Sequence, residues 1–180
     1  MIDWNDIHSK GVEYYQIPKS HLNFILESVP LNGHLLDVGC GKGELVSILC
    51  SKGYVVTGLD ISIEAVSSAK KNVPNAKFEC IDAETFELVD KYNVVFLNLV
   101  LQFLKEKYSF LEKIKKVSEK VVVVVPVLIE GVTHDEKSLR IGMDKVHLDN
   151  LLNKIFSQKI VLFESFHADT NTYMTGYLLS

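Results

Sequence analysis

The sequence predicts an α/β fold: a doubly wound, seven-stranded, mostly parallel sheet with a C-terminal antiparallel hairpin strand and helices on both faces. Three observations carry that expectation. Strand-length apolar runs alternate with segments of helical periodicity from about residue 35 to residue 156. The five consecutive valines at 121–125 are apolar on both sides of a strand, as a central parallel strand covered by helices on each face requires. Finally, two β-rich runs at 159–166 and 172–179 are separated only by a short turn at Asp169, Thr170 and Asn171, so they pair as antiparallel neighbours.

In chain order, Pro18 suits the first turn of a helix, and Leu22, Ile25, Leu26 and Val29 continue it at helical spacing until Pro30. Residues 35–38 form a short strand, and the helix after the following glycines buries Leu45, Ile48 and Leu49. A second strand over 54–59 ends at Asp60. Ser62 caps the next helix, with Glu64 in its first turn and Ile63, Val66 and Ala69 on its inner face. Strands follow at 76–81 and 93–97. The next helix places Leu104, Tyr108, Leu111, Ile114 and Val117 on one stripe, with its lysines on the solvated face. Pro126 is expected to end the valine strand and residues 127–143 to form a long loop. Asp144 then starts a helix with Leu148, Leu151, Leu152, Ile155 and Phe156 inward.

Composition narrows the function classes. Hydrophobic residues at 47% and charged residues at 23% describe a globular chain, and its 180 residues suit one domain. No apolar run approaches the ~20 residues of a membrane span, and Asp3 and Asp6 stand where a signal peptide would carry lysines. The cysteines Cys40, Cys50 and Cys80 show no metal-ligand or disulfide spacing, so the thiols are expected to be reduced, the location cytoplasmic and no metal bound. The net charge is −4 and Arg140 is the only arginine, which argues against a nucleic-acid partner.

The chemistry concentrates where the first strand ends. Residues 37–43 read D-x-G-x-G-x-G, a turn that brings bare backbone N–H groups and a helix start close to a ligand. A dinucleotide turn, G-x-G-x-x-G, would need glycine at 44, and Glu44 is a poor neighbour for a pyrophosphate. Asp60 ends the second strand about twenty residues after Gly39, where a carboxylate can accept from both hydroxyls of a ribose. Asp82 follows the third strand. Taken alone, Asp60 and Asp82 are also good helix caps, and Cys40 is a small residue tolerated where a ligand comes close.

Together Asp37, Gly39, Gly41, Gly43, Asp60 and Asp82 resemble the cofactor site of class I, Rossmann-like S-adenosylmethionine-dependent methyltransferases of the small-molecule type. The resemblance covers roughly residues 31–126. It implies S-adenosyl-L-methionine as cofactor and S-adenosyl-L-homocysteine as product. The turn, including Cys40, would face the cofactor's amino-acid end, Asp60 its ribose, Ile61 the adenine ring, and Asp82 with Ala83 the adenine amino group. Asn98, at the end of the fourth strand, would line the methionine end. Enzymes that methylate base amines carry an Asn/Asp-Pro-Pro-aromatic tetrad here, and this chain has Asn98 without the prolines. Metal-dependent catechol-type enzymes place acids here, and none is present.

The expected activity is therefore methyl transfer to a small-molecule acceptor by in-line displacement. The domain would be single, over 1–180, with 1–30 as an N-terminal helical segment able to cover the pocket and 31–180 as the core. No fixed catalytic residue is implied; His134 as a base and Arg140 as an anion clamp are the candidates. The rings of Trp4, His8, Tyr14 and Tyr15 either cover the pocket or pack the first helix, while His21, His34, His147 and His167 read as structural. The rival readings are a non-catalytic cofactor-binding partner subunit, a methyltransferase acting on protein or RNA, and an NAD-dependent oxidoreductase on the same sheet.

Overall fold

A computed structural model describes residues 2–10, 18–30, 32–87, 89–129, 142–168 and 172–180. Among these residues two helices, α1 (Trp4–Ser9) and α2 (Lys19–Ser28), precede the sheet. Strand and helix then alternate as β1 (His34–Val38), α3 (Glu44–Ser51), β2 (Val55–Asp60), α4 (Ile63–Asn72), β3 (Lys77–Cys80), β4 (Tyr92–Asn98), α5 (Lys107–Val117), β5 (Ser118–Leu128), α6 (Lys145–Ile155), β6 (Lys159–His167) and β7 (Thr172–Leu179). A single 3₁₀ turn, Leu101–Phe103, follows β4. Among the described residues no helix is long and apolar enough to cross a membrane.

The sheet has seven strands in the order β3-β2-β1-β4-β5-β7-β6. Every pair is parallel except the two made by β7, which runs antiparallel to both β5 and β6. Strand order reverses between β1 and β4, and a crevice at the carboxyl ends of such strands is where an open α/β sheet binds ligands.

The valine run serves both faces at once. Val121, Val123 and Val125 join Phe110, Leu111, Ile114, Leu148 and Leu152 in the core under α5 and α6. Val122 and Val124 belong to the opposite core, with Ile25, Val46, Leu49 and Val66 from α2, α3 and α4. Alternate side chains of a strand point to opposite faces, so a strand flanked by two helical layers must be apolar throughout.

Several local expectations shift. In α3 the third inward residue is Val46, and Ile48 is exposed; in α4 it is Ala65, and Ile63 is exposed. Tyr108 stands outside the α5 stripe, beneath the Lys154 ammonium, and Phe110 is buried instead. Pro126 does not end its strand. β5 continues to Leu128, because β4 has ended at the register of Val124 and the missing proline N–H faces no ladder partner. Met143 takes that side, donating to the Pro126 carbonyl at 2.7 Å and accepting from Leu128 N–H at 2.9 Å.

Both edges of the sheet are interrupted. β3 is four residues long and carries the ion pair Lys77–Glu79 at 2.6 Å. β6 has a register shift between Val161 and Phe163.

The lysines of α5 are not all solvated. Burial lowers the pKa of Lys107 and Lys113, and both ammonium groups donate to backbone carbonyls. Lys113 spans three of them, Ala83 O at 2.7 Å, Glu84 O at 3.1 Å and Phe86 O at 2.8 Å, and so pins the loop after β3. Glu84 adds a second tie, accepting from Lys105 N at 3.0 Å and Glu106 N at 2.8 Å ahead of α5. Lys113→Met leaves the three carbonyls without their donor and should lower stability by about 1–3 kcal/mol. Amide hydrogen exchange should speed up first over residues 82–87; uniform loss of protection would show that the lysine does not hold this loop.

Candidate functional site

A cavity of about 520 Å³ lies at the carboxyl ends of β1, β2, β3 and β4, within the size range of small-molecule sites. The glycine turn forms its floor. Gly39 and Cys40 both donate to the Leu59 carbonyl, at 2.7 and 2.9 Å, which locks the turn to the end of β2. Gly39 and Gly41 have positive φ, 70° and 54°. A Cβ at Gly39 would meet Val100 Cγ2 at 2.2 Å, whereas one at Gly41 would meet only His8 Cε1, at 3.8 Å. The turn thus needs glycine for its backbone at both positions and leaves Gly41 open to a ligand.

Asp60 organises the next layer. Its two carboxylate oxygens accept from Gly41 N at 2.9 Å and Ser62 N at 2.8 Å. Ser62 caps α4 through a bond from Ala65 N at 3.2 Å. Ile61, beside it, is 51% exposed, an apolar side chain left facing the cavity. Across from it, Asp82 caps a single turn rather than a helix: Oδ1 accepts from Glu84 N at 2.9 Å, and its carbonyl accepts from Phe86 N at 3.0 Å.

Asp37 is wholly buried. Burial, and then the charge of Asp60, push its carboxyl up to about 8. Its Oδ1 has no hydrogen-bond partner, and neither have Asn98 Oδ1, Gln102 Oε1 and His8 Nδ1, all buried atoms of residues that line the cavity. Buried polar groups in folded proteins are nearly always paired, so four such atoms around one cavity mark a place for a polar ligand. The carboxamide of Gln102 is oriented by its donation to the Leu99 carbonyl at 2.9 Å, which turns the oxygen inward. Leu99 itself has φ 56°, a left-handed conformation costly for a leucine, held by donation from its N–H to the Val124 carbonyl at 2.9 Å.

Of the residues singled out from the sequence, Asp37, Gly39, Cys40, Gly41, Asp60, Ile61, Asp82, Ala83 and Asn98 all line this cavity. Gly43 does not. It is buried beneath the turn, where a Cβ would meet Ala69 Cβ and Phe78 Cζ at 3.2 Å, so it packs the start of α3 against α4 and β3. Cys40 is no nucleophile, because burial and the carboxylates of Asp37 and Asp60 raise its thiol pKa far above the usual range. His134, Arg140, Tyr14 and Tyr15 lie outside the described residues. His21 stacks on Phe163 with ring centroids 4.1 Å apart, His34 meets Thr57 Oγ1 at 3.0 Å, and His147 is exposed at the start of α6.

Gln102, Val100 and Phe103 were not foreseen as lining residues; the one available signal was a lone glutamine in an apolar stretch. Of the N-terminal rings among the described residues, Trp4 and His8 line the cavity, with Ile2 beside them.

A family model described as "Methyltransferase domain" matches residues 31–162. The ubiquinone biosynthesis O-methyltransferase of Coxiella burnetii is 34% identical over 87 residues, which is 46% of this chain and 37% of that protein. The malonyl-[acyl-carrier protein] O-methyltransferase of Acetivibrio thermocellus is 31% identical over 101 residues, 52% of this chain and 36% of that protein. The chain therefore spans less than two-fifths of the length of these two curated relatives. The crystal structure of the N-terminal domain of EvdMO1 with SAH bound superposes with a TM-score of 0.72 at 16% identity, covering 92% of this chain and 81% of that one, which shows a shared fold. With a family match over nearly three-quarters of its length, laid on the strands and turn that build the cavity, the chain belongs to the methyltransferase-domain family.

Proposed function

We propose that this chain binds S-adenosylmethionine in the cavity and transfers its methyl group to a small-molecule acceptor. The observation that carries this reading is the set of buried, unpartnered acceptors Asp37 Oδ1, Asn98 Oδ1 and Gln102 Oε1 beside an open glycine turn. Oxygens in that arrangement call for a donor-rich cation, and this cofactor brings an ammonium and a sulfonium. The start of α3, which has no side-chain cap and brings Glu44 and Leu45 to the cavity, offers backbone N–H groups that suit the carboxylate of the same end. Asp60 spends one lone pair of each oxygen on backbone N–H groups and keeps the others for ribose hydroxyls. Ile61, Ile81 and Ala83 offer an apolar slot for adenine, with Asp82 at its rim.

When bound, the cofactor supplies a methyl group already activated for displacement. What the chain must add is alignment and exclusion of water, and alignment alone is worth effective molarities of order 10⁵ M or more. The net charge of −4 and the single arginine favour a small-molecule acceptor over nucleic acid. The cytoplasmic placement rests on the three free thiols.

The direct test incubates the protein with methyl-labelled S-adenosylmethionine and a cell extract. Label gained by the low-mass fraction, above an Asp60→Ala control, is the expected outcome; label confined to macromolecules would overturn the acceptor class. By calorimetry, Asp60→Ala should weaken S-adenosylhomocysteine binding by about 1.5–3 kcal/mol, the worth of a charged hydrogen-bonding group. Unchanged affinity would remove Asp60 from the ribose.

Asp37 gives a prediction of opposite sign for stability and binding. Its carboxyl is held at about 8 in the folded protein without ligand, so that state keeps a proton the unfolded chain releases near pH 4. Stability should therefore fall as pH rises from about 4 to about 8. Asp37→Asn should flatten that fall and raise Tm at pH 8 by about 3 °C or more, while weakening cofactor binding. A Tm at pH 8 equal to or below that of the parent protein would contradict this account of Asp37.

A further inference from the structure

The acceptors just described answer the cofactor's cationic end, but His8 Nδ1 does not belong to that set. It enters from α1, outside the family match of residues 31–162, together with Ile2 and Trp4. α1 is fixed rather than loosely laid. Asp3 caps it through a bond from Asp6 N at 3.1 Å, and Ile7 is buried. Asn5 Oδ1 accepts from Ser62 Oγ at 2.9 Å and Ile63 N at 3.0 Å, which ties α1 to the start of α4, two residues beyond Asp60. This tether holds Trp4 edge-on to Phe103, with centroids 4.9 Å apart and planes at 80°. Trp4 and Phe103 therefore form an aromatic part of the cavity wall, and His8 is the titratable group that α1 brings to it.

We propose that His8 is the general base for a phenol-type acceptor seated against the Trp4–Phe103 wall, an inference that rests on the methyl-transfer reading above. A flat ring fits an aromatic wall. A carboxylate acceptor would enter beside Asp37 and Asp60 and bring no proton for an imidazole to take. An aliphatic alcohol is too weak an acid for an imidazole to ionise, whereas a phenol, with a pKa near 10, is within its reach. In the step, the phenol oxygen forms its bond to the methyl carbon, the carbon–sulfur bond breaks and leaves its electron pair on sulfur, and the phenol proton passes to His8 Nδ1. The sulfonium becomes a neutral thioether, and the imidazolium returns the proton to water.

The test uses the whole chain, its His8→Gln variant, and a series of probes: phenol, 4-cyanophenol and 4-nitrophenol. The rate of methylation should fall about 100-fold or more in the variant with phenol, and the ratio of parent to variant should shrink as the probe becomes more acidic and arrives already ionised. A second readout needs no turnover: with S-adenosylhomocysteine in the site, bound 4-nitrophenol should show more of the phenolate absorbance than the free dye at the same pH, and the variant should lose that excess. S-adenosylhomocysteine affinity should be the same in both proteins. A constant ratio across the series, or a loss of that affinity in the variant, would overturn the role given to His8. If the parent binds S-adenosylhomocysteine but methylates none of the phenols, the acceptor class is wrong while the cofactor reading stands; if it does not bind S-adenosylhomocysteine, the cofactor reading itself fails.

Discussion

The site hangs on one carboxylate. Asp60 stands at the end of β2 and accepts from Gly41 on one oxygen and Ser62 on the other. The first bond fixes the glycine turn, the second fixes the start of α4, and through Ser62 and Asn5 the same point of attachment reaches α1. Three segments distant in sequence are thereby referred to a single rigid strand end. Charged hydrogen bonds are suited to this because they are short and strongly directional.

A cost accompanies the arrangement. Asp37 sits two residues before Gly39 with no partner for Oδ1 and with the charge of Asp60 nearby. Gln102, Asn98 and the left-handed Leu99 add unpaired or strained groups on the other side of the same opening. Functional sites characteristically hold such groups, since a fully satisfied pocket has nothing left to offer a ligand. The two helical layers and the apolar strands between them supply the stability against which this is set.

Much of the fold was legible because its signals are local and redundant. The valine run, the capping residues Ser62 and Asp144 and the short link before β7 each report on their own neighbourhood. Inward faces were less secure: Ile48 and Ile63 are as apolar as Val46 and Ala65, and only the direction of the neighbouring sheet decides between them. Pro126 misled because its tolerance depends on where another strand, β4, stops. The site divides in the same way. Asp37, Asp60 and the glycines advertise themselves by spacing, whereas Asn5, Gln102 and Lys113 act through backbone groups more than twenty residues away or through a turn whose conformation no residue type announces. Gly43 belongs to the motif by spacing and to the packing by position.

An open sheet must also end somewhere, and its margins decide how the molecule behaves in company. A long, flat, unpaired margin is a template on which another chain can continue the ladder. Here one margin is the four-residue β3, carrying a lysine and a glutamate in mutual contact, and the other is β6, whose pairing slips between Val161 and Phe163. Shortness and charge at one side, and a broken register at the other, leave an approaching strand little straight backbone to copy. The sheet that assembles the cavity at its centre is, by the form of its two borders, guarded against growing into its neighbours.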